Sequence, residues 1–357
     1  MNLTSNIIQF ELPDRLACPK PTELRNLERD RVRLLVTRES DRIEHTVFSN
    51  VDQYLQKGDV LVVNTSATRA SALPIMLPDN RKGMAHFSTR VNNHQWLVEI
   101  REIKGDKTIR WKEGEEEMEF HFPDGAEIKL KRKFYQEREL LHLWVAEFIT
   151  EQEHETYLAE HAQPIKYDKL SEPYPLDFYQ TFFSSQPGSS EMPSAGRGFT
   201  QNLVKRLLEK GVVFAPILLH TGVSSLEENE SPYPEYMEIN SASAAIINSA
   251  KKEGRRVIAT GTTAVRAVES VVNEAGEVFP YVGYTELFID DGYRMRIING
   301  LLTGFHEPRA SHLNMLQSLA GFDHIERAYN SAIENNYFWH QFGDLHLILP
   351  GYTDRPI

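Results

Sequence analysis

The chain has 357 residues, 41% hydrophobic, 25% charged and 10% aromatic, with a formal net charge of −12. That length fits two domains and that composition supplies a core, which excludes a disordered, collagen-like or disulfide-stapled protein. No apolar run approaches the roughly 20 residues a bilayer span needs and no leader pattern opens the chain; the lone Cys18 leaves no internal disulfide, and the acidic balance argues against a surface that coats nucleic acid throughout. A reducing cytoplasm is the expected home, with no membrane partner.

In chain order, residues 32–37 read as a strand, 50–56 as a short amphipathic helix and 59–63 as a buried strand, the opening of an α/β domain. From 73 to 148 the pattern changes to short alternating runs separated by turn signals, at 96–103, 108–111, 118–122, 126–134 and 140–148, with no helix among them. Such spacing predicts an antiparallel barrel or sandwich. The acidic run at 113–119 and the basic run at 129–133 fall on neighbouring strands of it, where pairing across a hairpin is the expected arrangement.

A loop rich in Pro, Tyr and Ser (164–193) leads back to alternating helices and strands. Thr200 is placed to cap a helix with Leu203, Val204, Leu207 and Leu208 on one face and Gly211 as its stop. A strand at 212–219 follows, then a helix from Ser241 or Ser243 to about Gly254, a strand at 256–260 and a helix at 264–273. Strands at 285–289 and 293–298 precede helices at 309–319 and 323–335. The predicted class is α/β: a distorted mixed sheet or barrel flanked by helices, formed by residues 1–72 and 149–357, with a small antiparallel β-barrel inserted at 73–148.

Metal and nucleotide motifs fail on spacing. His154 and His161 are seven residues apart, about 10 Å along a helix, too far to share one zinc ion. Gly261-Thr262-Thr263 lacks the lysine and second glycine of a phosphate-binding loop, and no GxGxxG follows a strand. What remains is a set of polar clusters at strand ends: 194–200, His220-Thr221-Gly222, 261–270 and 305–309. In an α/β sheet the carboxyl ends of strands are where ligands bind, and free N–H groups with Thr hydroxyls suit an anion. N-capping and tight turns explain the same residues equally well.

Taken together these clusters resemble the S-adenosylmethionine:tRNA ribosyltransferase-isomerase family, which builds epoxyqueuosine in tRNA. The family's APTAGLHFT stands as EMPSAGRGFT at 191–200, LHVGLGTF as LHTGVSSL at 219–226 and GTTSVRTLES as GTTAVRAVES at 261–270. Its TDIFIxPGY stands as TELFIDDGY at 285–293, TNFHLPxST as TGFHEPRAS at 303–311 and YGDAMLI as FGDLHLI at 342–348. FELP, RDRVRLLV and GDVLVVN occur upstream in the expected order.

The resemblance implies S-adenosylmethionine used as a ribosyl donor, with no metal. The positive sulfur acidifies the adjoining ribose carbon, which is proposed to attack the aminomethyl group of a deazaguanine in tRNA; ammonia, adenine and methionine leave. Motif-matched positions assign Thr262, Thr263, Arg266, Gly196, Thr200 and Phe305 to cofactor contacts, and His220, Glu235, Glu269, His306 and Asp344 to acid–base work or ammonium binding. The sequence departs from the family at Gly198, where the family has His, at 64–67 and 70–73, where two arginines are replaced, at Pro232-Tyr233-Pro234 and at Gly304. Arg69 is the nearest stand-in for a lost arginine. Three functions follow: the family reaction on precursor-bearing tRNA, the same cofactor chemistry on a small deazapurine-type acceptor, or a non-catalytic binding descendant. A tRNA partner would need a local basic track, for which Lys129, Lys131, Arg132, Lys133, Arg197 and Arg309 are the candidates.

Overall fold

A computed structural model describes residues 8–38, 42–105, 107–122, 124–134, 142–166, 170, 172–223 and 233–351. The strands are β1 (Arg33–Arg38), β2 (Arg42–Val47), β3 (Val60–Asn64) and β4 (Ser66–Thr68). The insert holds β5 (Ala72–Met76), β6 (Lys82–Arg90), β7 (Gln95–Lys104), β8 (Lys107–Arg110), β9 (Glu119–His121), β10 (Glu127–Lys133) and β11 (Leu143–Ile149). Helix α1 (His154–His161) and β12 (Gln186–Ser189) follow, then α2 (Gln201–Lys210), β13 (Val213–Leu219), β14 (Glu235–Ile239), α3 (Ser241–Lys252), β15 (Val257–Thr260) and α4 (Thr262–Ser270). The chain closes with β16 (Tyr281–Thr285), β17 (Gly300–Gly304), α5 (His312–Ala320), α6 (Phe322–Glu334) and β18 (Leu345–Leu349).

Nine strands form one mixed sheet in the order β16-β14-β13-β3-β15-β17-β18-β1-β2. Its centre is parallel: β13, β3, β15 and β17 run the same way, so their carboxyl ends meet at one edge. β3 shows why the centre holds. Val60 and Val62 face the core shared with α3 to α6, while Leu61 and Val63 face the core closed by α2 and the turn of 3-10 helix Phe48–Gln53. A strand buried on both faces reads as continuous Val and Leu, as expected of a central parallel strand.

The insert is a second, antiparallel sheet ordered β5-β6-β7-β11-β10-β9, whose two end strands approach each other into a nearly closed barrel. Alternate residues of β7 (Trp96, Val98, Ile100) join Phe87, Phe120, Ile128 and Phe148 in its own apolar interior, and α1 plugs that core with Tyr157 and Leu158. The α/β class with an inserted β-barrel is therefore the observed architecture.

Several local readings hold and others do not. Thr200 accepts from the Leu203 amide and Gly211 ends α2 at φ 88°, but Leu208 is 55% exposed and lies off the buried face. Residues 50–56 form no α-helix; the turn is 3-10 and starts at Phe48. α3 begins at Ser241, one of the two expected starts, with Asn240 as its cap, and α4 begins at Thr262, ahead of the expected start. The strands expected at 285–289 and 293–298 are displaced to β16 and β17, because the apolar residues of 286–298 pack as irregular chain (Ile289, Ile297 and Ile298 are buried) rather than pairing in the sheet. The strand expected at 140–148 begins at Leu143, and residues 140 and 141 lie outside those described, as do 224–232 of the LHTGVSSL and Pro232 readings.

Candidate active site

Three of the four parallel carboxyl ends, those of β13, β15 and β17, border a cavity of about 290 Å³, near the lower end of the roughly 300–1,000 Å³ usual for small-molecule clefts. β13 supplies Thr221, β15 delivers Gly261, Thr262 and Thr263, and β17 delivers Gly304, Phe305 and His306. Glu191, Met192, Pro193, Ser194 and Ala195 close one side; Glu307, His312, His340 and Gln341 close the other. All four polar clusters found in the sequence therefore contribute to the lining of one cavity.

Gly261 makes the strand-to-helix turn possible. Its φ of 91° is a left-handed conformation that a side chain resists, and it brings α4 directly off the strand. No side chain caps α4, so its first amides point outward, and the buried Thr263 Oγ1 has no hydrogen-bond partner. An uncapped helix start with an unsatisfied hydroxyl is a ready anion subsite.

His306 is fixed by its backbone. Its amide donates to Tyr329 Oη at 3.2 Å, and its carbonyl accepts from Trp339 Nε1 at 3.0 Å. Its Nε2 lies 3.0 Å from Thr303 Oγ1, and its ring stacks on His312 with centroids 4.7 Å apart and planes at 7°. Burial, with the neighbouring His312 and His346, holds the His306 pKa well below the usual value. Burial, assisted by the Arg266 charge, pushes His312 down to about 4. Both imidazoles are neutral near pH 7. Phe305, also in the wall, lies parallel to the His346 ring at 5.8 Å.

The other expected site residues stand behind this wall or away from it. Arg266 closes a buried ion pair with Glu235 and donates its Nε to the Leu287 carbonyl at 3.0 Å; Glu235 also accepts from the Gly222 amide at 2.9 Å. Neither lines the cavity. Glu269 is fully buried and accepts from the amides of Arg296, Ile297 and Ile298 and from the Tyr293 hydroxyl, so its carboxylate organises the chain before β17. Asp344 accepts from the amides of Arg33 and Phe338, fixing the loop that carries His340 and Gln341, and burial raises its pKa. His220 does not line the cavity: its Nδ1 is 2.7 Å from Ser66 Oγ, its ring stacks on Tyr236, and burial drops its pKa to about 4. Gly196 is buried behind Ser194, and Thr200 is spent on the α2 cap and on Asp30.

Half of the expected basic track is neutralised. Lys129 pairs with Glu117 and Glu119, and Lys131 with Glu117, which is the predicted hairpin pairing of the two charge runs. Arg197 is buried against Glu23. Arg69 is buried too, paired with Glu155 and lying 4.5 Å over the Trp96 ring, where it ties the insert to the α/β part. One trio, the exposed Glu119 and His121 with the half-buried Glu127, has ligand atoms within 4.8 Å of one another, and His121 and Glu127 already pair at 3.1 Å. Sequence reading missed Glu191, Thr303, His312 and His340 of the cavity wall, since each lies on irregular chain or at an element end where periodicity is silent.

Comparison with known proteins gives the chain's family. Residues 6–348 match the family model described as "Queuosine biosynthesis protein". The S-adenosylmethionine:tRNA ribosyltransferase-isomerase of Carboxydothermus hydrogenoformans is 34% identical over 351 residues, spanning 95% of this chain and 98% of that protein. The protein of the same name from Desulforamulus reducens is 33% identical over 354 residues with the same coverage. The crystal structure of the S-adenosylmethionine tRNA ribosyltransferase from Thermotoga maritima matches with a TM-score of 0.53 at 25% identity, covering 96% of this chain and 99% of that one.

Proposed function

The chain belongs to the queuosine biosynthesis protein family, and from that premise we propose that it is a transferase that moves the ribosyl unit of S-adenosylmethionine onto an aminomethyl-deazaguanine in tRNA and isomerises it to epoxyqueuosine. The observation that carries the reading is the polarity of the cavity: its lining combines an uncapped helix start with the unsatisfied Thr263 hydroxyl, the carboxylates of Glu191 and Glu307 (the latter 3.1 Å from His340 Nδ1) and the neutral imidazoles of His306 and His312. An amino-acid zwitterion bearing a sulfonium matches that layout. Its carboxylate fits the α4 amides and Thr263, and its cationic groups fit the acidic side.

S-adenosylmethionine supplies a ribose carbon acidified by the adjoining sulfonium. The protein supplies the rest: α4 binds and orients the anionic end, Phe305 and Met192 provide apolar wall, and the neutral histidines accept and hand on protons. The chemistry of this donor set needs no metal. The relatives are named for tRNA, and no feature of the cavity favours a small acceptor over it. With a tRNA acceptor, the reaction belongs in the cytoplasm; no described helix is long and apolar enough to cross a membrane.

The test is incubation of the protein with S-adenosylmethionine and tRNA carrying the aminomethyl-deazaguanine precursor, followed by nucleoside mass spectrometry. Epoxyqueuosine in the digest, with adenine and methionine released, is the expected result. Adenine release with a free deazapurine nucleoside but not with the tRNA would replace this reading by the small-acceptor one.

A further inference from the structure

We propose that His312 is the catalytic base of the ribosyl transfer, with His306 as the positioning residue that holds its ring. This rests on the function proposed above and assigns a role to a side chain outside the recognised motifs. His312 opens α5 and lines the cavity; its ring makes no hydrogen bond to a described residue, so its nitrogens remain available to a bound substrate. His306, by contrast, already has its Nε2 beside Thr303 Oγ1 and both backbone groups tied to Tyr329 and Trp339. One ring is anchored and the other lies flat against it at 4.7 Å. That is the arrangement of a base and its support.

The surroundings keep the base unprotonated. His306 covers one face, Arg266 approaches from α4, and His346 stands behind His306 on β18; Glu191, Glu307 and His340 occupy the rest of the cavity wall. His312 is the first residue of α5, whose start carries the positive end of the helix dipole. In the step assigned here, His312 takes the proton of the ribose carbon beside the sulfonium. The C–H bond breaks, an N–H bond forms on the imidazole, and the electron pair stays on carbon for attack on the aminomethyl carbon, whose amine, entering in its ammonium form, takes the C–N bonding pair and leaves as ammonia. The resulting imidazolium is a strong acid in this setting and gives its proton to the adenine nitrogen as the glycosidic bond breaks, the bonding pair going to that nitrogen and a ring-oxygen lone pair to the carbon left behind.

The experiment compares wild type, His312→Gln, His312→Ala and His306→Gln with four measurements. In ligand-free protein, the His312 ring resonance, identified by its loss in His312→Gln, is expected to titrate near pH 4 and to shift when S-adenosylmethionine is added. His312→Gln is expected to bind S-adenosylmethionine within threefold of wild type. Deuterium wash-in at the ribosyl carbon with S-adenosylmethionine alone, and turnover on precursor tRNA, should each fall at least 100-fold. Imidazole in solution should restore part of the turnover of His312→Ala. In His306→Gln the acid limb of the pH–rate profile should move, as a merely structural residue would not make it do. An active wild type with His312→Gln turnover within threefold of it, or a His312 resonance titrating near 6.5 and unmoved by ligand, would overturn the assignment alone. A wild type that exchanges no ribosyl proton and modifies no tRNA would overturn the proposed function and the assignment with it.

Discussion

The Arg266 guanidinium is closed against the Glu235 carboxylate in a pair only 9% and 11% exposed, which joins α4 to the edge of β14. An arginine one turn into a helix whose start faces a cavity invites assignment to the ligand. Here it instead secures the helix that presents Thr262 and Thr263, and its charge bears on His312. Removing one partner leaves a buried charge, so Arg266→Ala is expected to lower unfolding stability by about 3–5 kcal/mol. Urea titration measures this. Unchanged stability with a selective loss of ligand affinity would instead make Arg266 a direct ligand.

Thr263 is expected to be the more selective handle. Thr263→Val removes an unsatisfied hydroxyl with little change of shape, so stability should hold within about 0.5 kcal/mol. S-adenosylmethionine affinity should fall about tenfold, the low end for a hydrogen bond to a charged group. Calorimetry decides the point.

Acid should destabilise the protein through its buried histidines. His346 is held down to about 3 and His86, His220 and His312 to about 4, each chiefly by burial, against 6.5 for an open chain. The unfolded state therefore takes up protons that the folded state refuses. Stability present above about pH 6.5 is lost as the pH falls toward the folded values, with a limiting slope of about 1.4 kcal/mol per pH unit for each group. His346 occupies the place of the methionine in the family's YGDAMLI, and His346→Met should flatten that slope. It should also cost about 1–3 kcal/mol at pH 8, because Thr37 Oγ1 loses its 2.9 Å partner. Denaturant titrations from pH 8 to 4.5 measure both.

Gly198 marks a second departure from the family pattern, with a packing cause. A Cβ there would stand 2.7 Å from the Phe48 ring and 3.2 Å from Leu345. Gly198→Ala is expected to cost about 1–3 kcal/mol by overpacking, and combining it with Phe48→Leu should recover part of that loss. A neutral Gly198→Ala in urea titration would show that the ring shifts freely.

The lysines of the insert should matter little to RNA. Lys129 and Lys131 already face Glu117 and Glu119, so Lys129→Gln with Lys131→Gln is expected to leave tRNA affinity within twofold and its salt slope unchanged. Each genuine phosphate contact would remove about 0.7–0.9 from that log–log slope. Filter binding at several salt concentrations distinguishes the two.

What was legible in the sequence follows from where periodicity and caps operate. The double-sided burial of β3, the Thr200 cap and Gly211 stop of α2, and the strand–Gly-Thr-Thr–helix turn each leave a local signature, and together they locate the cavity edge. Glu269 misleads because a carboxylate inside a recognised motif looks reactive, whereas its donors are amides from 296–298, far away in sequence. His220 misleads because its neighbour Thr221 lines the cavity while its own ring is held by Ser66 and Tyr236, partners distant in sequence that the motif does not encode. His312 passes unnoticed because its meaning lies in the ring of His306 beside it, and that contact exists only once β17 and α5 are folded.

The most direct test of the central claim is a crystal structure of the protein with S-adenosylmethionine bound. The expected density places the carboxylate at the α4 amides and Thr263 Oγ1, with the ribose against His306 and His312. Density in the open cleft between Tyr281, Tyr293 and Arg294, or within the β-barrel insert, would contradict the assignment of this cavity.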